Sequence, residues 1–374
     1  MEIKDIISRF NEAIDNPNKV IKDFKEKTGQ KVIGCAPPFT PQELVHASGM
    51  LPVGVWGANC EVSEATQYYP VFYCSILLTI LELGLKGKYG GISGLLTATH
   101  CDGLKNLVEN WKYGVKDIEM ISLTYPHNRK LEAANRYLIK EFKNVAEALE
   151  RISGNKITEK NLRQSIRVYN HHRKLMREFS ALACKHLDII TPNVRHTVMK
   201  SAYFMTREEH SDLVQKLLDA LNRLPEYDFK GYKIIMTGII VDLPDLLTML
   251  EENDIAVVGD DLVHESKQYE TDVPGGVDPY ECLARQWSLM EGASMLIRLS
   301  RERKADGILV CMLKFCEPDE FDYPIMKKDF EKAGIPELYL EIETQSSNDR
   351  QAGTRIQAFK EMLQYARKQK MKIC

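Results

Sequence analysis

Apolar residues recur at helical spacing through residues 2–28, at Ile3, Ile6, Ile7, Phe10, Ala13 and Ile14, then at Val20, Ile21 and Phe24, which predicts an amphipathic helical lead-in. Past Gly29 short apolar runs take over. Residues 31–34 read as a strand ending at Cys35, and residues 51–55, 91–96 and 118–123 as three more. Thr40-Pro41-Gln42-Glu43 has the form of a capping box with proline in the first turn, so a helix starts there and Gly49 can close it. Residues 73–85 predict another helix. Strands that alternate with helices form parallel sheets.

From Asn135 to about Arg223 the pattern becomes that of long amphipathic helices, one entered at Thr158 and another at the capping box Thr206-Arg207-Glu208-Glu209. Alternation then resumes, with strands at 233–237, 255–259, 307–313 and 337–340 and helices at 244–251 and 281–302. The expectation is an α/β protein of two similar parallel-sheet domains, flavodoxin- or Rossmann-like, facing each other. Residues 1–135 hold the N-terminal helices and the first α/β domain, 136–227 a helical bridge, and 228–374 the second α/β domain. In each half the third strand leads into a cysteine, Cys101 or Cys316. Open α/β sheets bind ligands beyond the carboxyl ends of their strands, so a cleft between facing sheets would receive both.

At 374 residues and 44% hydrophobic content the chain supports more than one core. Fifty basic and 53 acidic residues leave a formal charge of -3, which provides no broad field for nucleic acid or an anionic membrane. The N-terminus lacks the apolar region of a signal peptide, and no run of about 18 apolar residues could span a bilayer. A cytoplasmic protein is expected. Nine cysteines, an odd number in a long chain, argue for thiols rather than a disulfide framework.

Free cysteine is often a small buried hydrophobe. That accounts for Cys311 inside a strand, Cys184 and Cys282 in helices, and the terminal Cys374. Cys101 and Cys316 sit instead among turn-formers and acids, Asp102-Gly103 and Glu317-Pro318, where burial gives no reason for a thiol. Cys74 opens a helix, whose exposed N–H groups favour a thiolate. It is the favoured third ligand, with Cys35 and Cys60 as alternatives. No C-x-x-C knuckle is present, which speaks against structural zinc, while dispersed thiolates suit an iron–sulfur cluster. His100 next to Cys101 makes a poor nucleophilic dyad and is as suited to orienting the loop. Residues 87–91 match neither a P-loop nor a dinucleotide fingerprint. Asp260-Asp261 could face the cleft but read more simply as a solvated loop.

Taken together, Pro41-Gln42-Glu43-Leu44-Val45 with residues 47–53, Tyr73-Cys74-Ser75, His100-Cys101-Asp102-Gly103 with Trp111, and residues 314–319 resemble the 2-hydroxyacyl-CoA dehydratase family over nearly the whole chain. That family also includes subunits of ATP-dependent benzoyl-CoA reductase. The resemblance implies a heterodimeric, oxygen-sensitive lyase of anaerobic amino-acid fermentation. Each subunit would hold a four-iron four-sulfur (4Fe-4S) cluster by three cysteines, here Cys74, Cys101 and Cys316. An ATP-dependent iron–sulfur activator protein would reduce it.

The length matches the smaller, beta-type subunit, whose cluster would pass the electron to a larger alpha-type subunit where most of the acyl-CoA binds. The reaction implied is loss of water from an (R)-2-hydroxyacyl-CoA through a ketyl radical, because the hydrogen lost from C3 is not acidified by the thioester carbonyl. No individual catalytic residue and no particular acyl group is indicated. The other readings of the chain are a subunit of a benzoyl-CoA-reductase-like enzyme and a non-catalytic bilobed binding protein.

Overall fold

The computed structural model describes residues 2–36, 39–290, 294–344 and 349–373. Among the described residues, eight strands form two separate parallel sheets. The first contains β1 (Val32–Ala36), β2 (Leu51–Gly54), β3 (Gly94–Ala98) and β4 (Glu119–Leu123), in the spatial order β2-β1-β3-β4. The second contains β5 (Tyr232–Gly238), β6 (Ile255–Leu262), β7 (Gly307–Leu313) and β8 (Glu337–Ile342), in the order β6-β5-β7-β8. The two orders are equivalent and follow the opening of the flavodoxin pattern.

Side chains of β1 alternate between two apolar layers, as the two-residue period of a strand requires. Val32 and Ala36 join the helices Ser75–Leu85 and Asp102–Gly114, whereas Ile33 and Cys35 join Gln42–Ala47 and Glu132–Ser153. The second sheet is likewise covered on both faces, by Pro244–Glu252 and Asp349–Ile373 on one and by Ser294–Glu302 and Glu317–Ala333 on the other. Four helices, Glu132–Ser153, Glu159–Ala183, Pro192–Ser201 and Arg207–Leu221, lie between the sheets in sequence. Three of them pack with the helix Ile3–Asp15 around Phe10, Phe179 and Leu217.

The loops beyond the strand carboxyl ends of the two sheets touch. Trp56, just past β2, bonds to Asp242, just past β5, and the Thr344 N–H past β8 donates to Ser75 Oγ at 3.0 Å. Leu313 and Ile240 of the second half are buried in the same cluster as Leu77 and Leu104 of the first.

Several local expectations need correction. The lead-in is two helices, Ile3–Asp15 and Pro17–Thr28, because Asn16 caps the second and Pro17 cannot continue the first. The Thr40 capping box does not form: Pro41 is the N-cap, and Arg207 and Arg173 draw off the side chains of Gln42 and Glu43. Residues 281–302 hold two helices, Pro279–Leu289 and Ser294–Glu302, separated where Met290 turns extended. Asp260 and Asp261 are not a solvated loop but the end of β6. Asp260 is buried against Arg195, and Asp261 pairs with Lys267 at 2.7 Å. Among the described residues no helix is long and apolar enough to cross a membrane.

Candidate functional site

Three helices begin on a cysteine. Cys74 is the N-cap of Ser75–Leu85, Cys101 of Asp102–Gly114 and Cys316 of Glu317–Ala333. Ser, Thr, Asp and Asn stabilise that position best, so three helix starts forgo part of the usual capping energy for a sulfur. Cys101 follows β3 and Cys316 follows β7, the third strand of each sheet. All three side chains pack on the apolar cluster shared by the two halves.

The chain is bent to bring the third one in. Phe315, immediately before Cys316, has φ +63°, a left-handed conformation unfavourable for a residue with a Cβ. Gly103 serves the other two: a Cβ there would stand 2.4 Å from Leu77 Cδ1, so glycine lets the helices led by Cys74 and Cys101 approach.

Burial pushes the Cys74 thiol up to about 11 and raises Cys101 and Cys316 as well. The sulfurs also act on one another, since charge on Cys101 raises Cys74 and charge on either raises Cys316. Helix N–H groups oppose this. Leu104 N–H donates to Cys101 Sγ at 3.4 Å, and those of Leu77 and Asp319, at the matching positions, pull Cys74 and Cys316 downward. Such thiols stay protonated at neutral pH and make poor nucleophiles. They are soft donors that a cationic iron centre would deprotonate, and the donor set and the surrounding N–H groups fit an iron–sulfur cluster.

The alternatives lie elsewhere. Cys35 points into the layer on the opposite face of β1, where burial pushes its thiol up to about 12. Cys60 feels the charges of Glu82 and Lys86, about two turns and roughly 12 Å along the helix from its Cys74 end. Cys311 and Cys282 are buried, and Cys184 donates to the Val258 carbonyl at 2.8 Å. Cys374 lies outside the described residues. His100 stacks on Tyr125 with ring centroids 4.7 Å apart and leans on Trp287, which orients the loop before Cys101.

Two features escaped sequence reasoning. Asp319, in the first turn of its helix, is half-buried with Oδ2 shielded from solvent, and desolvation with Asp322, Asp261 and Glu320 raises its carboxyl to about 7. Its place in residues 314–319 was visible but its burial was not. The second feature is a set of exposed apolar side chains: Val71 and Phe72 just before Cys74, and Phe321 and Ile325 in the helix that Cys316 starts. A cleft of about 300 Å³ also lies between the sheets, lined by Trp56, Asn59, Asp242, Lys314, Glu343 and Arg355 among others.

The family model described as 2-hydroxyglutaryl-CoA dehydratase, D-component, matches residues 37–363, a span that holds every strand but β1 and all three N-cap cysteines. The chain belongs to this family. The D-component family match is accompanied by relatives aligned over almost their full length. The (R)-phenyllactyl-CoA dehydratase beta subunit of Clostridium sporogenes is 48% identical over 95% of this chain and 97% of its own. The lactoyl-CoA dehydratase subunit beta of Anaerotignum propionicum is 38% identical over 96% and 99%. The (R)-2-hydroxyglutaryl-CoA dehydratase subunit beta of Acidaminococcus fermentans is 33% identical over 97% and 100%. The D-component family is thus one of dehydratase subunits, hydro-lyases acting on acyl-CoA thioesters.

Proposed function

We propose that this chain is the beta-type subunit of an (R)-2-hydroxyacyl-CoA dehydratase, with Cys74, Cys101 and Cys316 holding a four-iron four-sulfur cluster between its two α/β halves. The observation that carries the reading is the convergence of three N-cap cysteines from three distant segments on one shared apolar cluster. When bound, the cluster supplies a low-potential one-electron carrier between an ATP-dependent activator and the alpha-type subunit. That role answers the chemistry: the C3 hydrogen of a 2-hydroxyacyl-CoA is too weakly acidic for acid–base elimination until an electron has been added to the thioester and hydroxide expelled.

This chain's own residues do four things in that scheme. The cysteines bind; the backbone N–H groups of Leu77, Leu104 and Asp319 stabilise negative charge at the sulfurs. Leu77, Leu104 and Leu313 exclude water from one side. The exposed Val71, Phe72, Phe321 and Ile325 offer an apolar rim to the partner subunit. The bridge expected at residues 136–227 begins inside the helix Glu132–Ser153, whose apolar face covers the first sheet.

The test is anaerobic purification of the chain co-expressed with its partner, followed by iron and acid-labile sulfide analysis. A brown complex is expected. Serine at any one of the three cysteines should remove this chain's share of iron, while Cys35→Ser and Cys60→Ser keep it. A colourless, iron-free complex that still dehydrates a 2-hydroxyacyl-CoA would overturn the proposal.

A further inference from the structure

Away from the cysteines, a second group of ligating side chains is buried between the helix Pro192–Ser201 and the segment that follows β6. His196, His264 and Glu265 bring their ring nitrogens and a carboxylate oxygen within 4.8 Å of one another. His196 Nδ1 lies 2.8 Å from Glu265 Oε1, and its Nε2 lies 3.0 Å from Asp242 Oδ1. Asp242 in turn accepts from Lys200 Nζ at 2.7 and 2.8 Å and from Trp56 Nε1 at 3.0 Å. Arg195, next to His196, is turned to Asp260.

His264 sets the chemistry. Its Nδ1 is 3.2 Å from the Ile239 carbonyl oxygen, which can only accept, so Nδ1 carries the proton and Nε2 presents a lone pair. That nitrogen is buried, makes no hydrogen bond, and faces Glu265 Oε1 at 3.8 Å. Two acceptors therefore confront each other where water is excluded. A proton on His196 satisfies Glu265 but leaves His264 Nε2 unanswered, whereas a cation shared by all three satisfies both.

We propose that His196 Nδ1, His264 Nε2 and Glu265 bind a divalent transition-metal ion of the zinc class, at a site separate from the three cysteines. The outer hydrogen bonds already have the form such a site needs. The His196 Nε2–H donates to Asp242 and the His264 Nδ1–H to the Ile239 carbonyl, which fixes both rings with the remaining nitrogen free to ligate. Two imidazoles and a carboxylate are a common zinc donor set. On binding, the ion replaces the Nδ1 proton of His196; one proton goes to solvent and no electron moves. Affinity falls on acidification for that reason, in a pocket whose other charged groups are Asp242, Lys200, Arg195 and Asp260. Bound there, the ion fastens the Pro192–Ser201 helix to the second sheet directly behind Asp242.

The experiment uses the full-length chain co-expressed with its partner. Elemental analysis should find one zinc more in the wild-type complex than in His264→Gln, with iron equal in the two. Cobalt(II) added after chelation should give visible ligand-field bands without thiolate charge transfer, and Glu265→Gln should weaken that binding at least tenfold. Zinc unchanged in His264→Gln would overturn the site. So would a wild-type complex that develops no cobalt bands of nitrogen–oxygen type, which would leave an imidazolium salt bridge alone in the cluster. The cobalt titration of wild type decides the matter even where a variant fails to fold. Iron and sulfide report on the cysteines, zinc and cobalt on this group, so the two proposals fail separately.

Discussion

Trp56 donates its indole N–H to Asp242 Oδ2 at 3.0 Å, fastening a residue just past the second strand of the first sheet to one just past the first strand of the second. The acceptor is a carboxylate that burial pushes up but His196 and Lys200 hold far below its ordinary range, so it is charged and the bond is charge-assisted. Trp56→Phe keeps most of the apolar contact and loses the donor. Stability should fall by about 1.5–3 kcal/mol, the worth of a hydrogen bond to a charged group. Thermal unfolding measures it, and an unchanged midpoint would mean that the contact contributes nothing across the cleft.

Gly103→Ala tests the approach of the two helices that start at Cys74 and Cys101. The added methyl meets Leu77 Cδ1 at 2.4 Å, so either the leucine repacks or the helices part. Overpacking of this kind costs roughly 1–3 kcal/mol. Iron content should drop more than that loss of stability explains, because the displacement falls on the sulfurs; full iron with a lowered melting point would count against the tight-approach argument.

The apolar rim makes a prediction about assembly. Phe321 is 79% exposed and Ile325 64%, one helical turn apart. Replacing both with aspartate should leave the melting of the isolated chain unaltered and weaken association with the partner subunit at least tenfold, about 1.4 kcal/mol. Sedimentation of the mixed subunits measures it. Undiminished association would place the partner elsewhere.

Acid should destabilise the helices between the sheets. His210 is buried with Nδ1 2.8 Å from His172 Nε2 and its Nε2 close to Ser201 and the Val198 carbonyl. Burial, and then the Arg207 charge, lower His210 to about 3, and burial lowers His172 as well. The unfolded chain takes up these protons near pH ~6.5 and the folded chain does not, so stability is complete above that pH and declines as pH falls. The slope is up to about 1.4 kcal/mol per pH unit for each histidine. Urea unfolding across this range should show it, and His210→Gln should flatten the slope.

Local pattern carried much of the fold. The strand at 307–313 is where the apolar run put it, and Thr158 and Thr206 cap their helices as their side chains suggest. What failed depended on distant partners. Asp260 and Asp261 look like loop residues until Arg195 and Lys267 neutralise them, and Glu43 looks like a capping residue until Arg173 claims it. Cys35 and Cys60 could not be separated from Cys74 in one dimension, because strand facing and helix length sort them. The Glu-Pro pair and acidic first turn after Cys316 are the local signature of an N-cap at that cysteine. The facing of His196 and Glu265, 69 residues apart, has no local signature at all.

The order in which the sulfurs leave the ribosome has a consequence. Cys74 and Cys101 belong to the first sheet, but Cys316 arrives only after β7 of the second. A nascent or truncated chain can fold its first half and still present just two of the three thiols. Assembly of the trio therefore reports that synthesis has passed Cys316 and that both halves have met, so any group needing all three sulfurs discriminates finished molecules from fragments without a dedicated inspector.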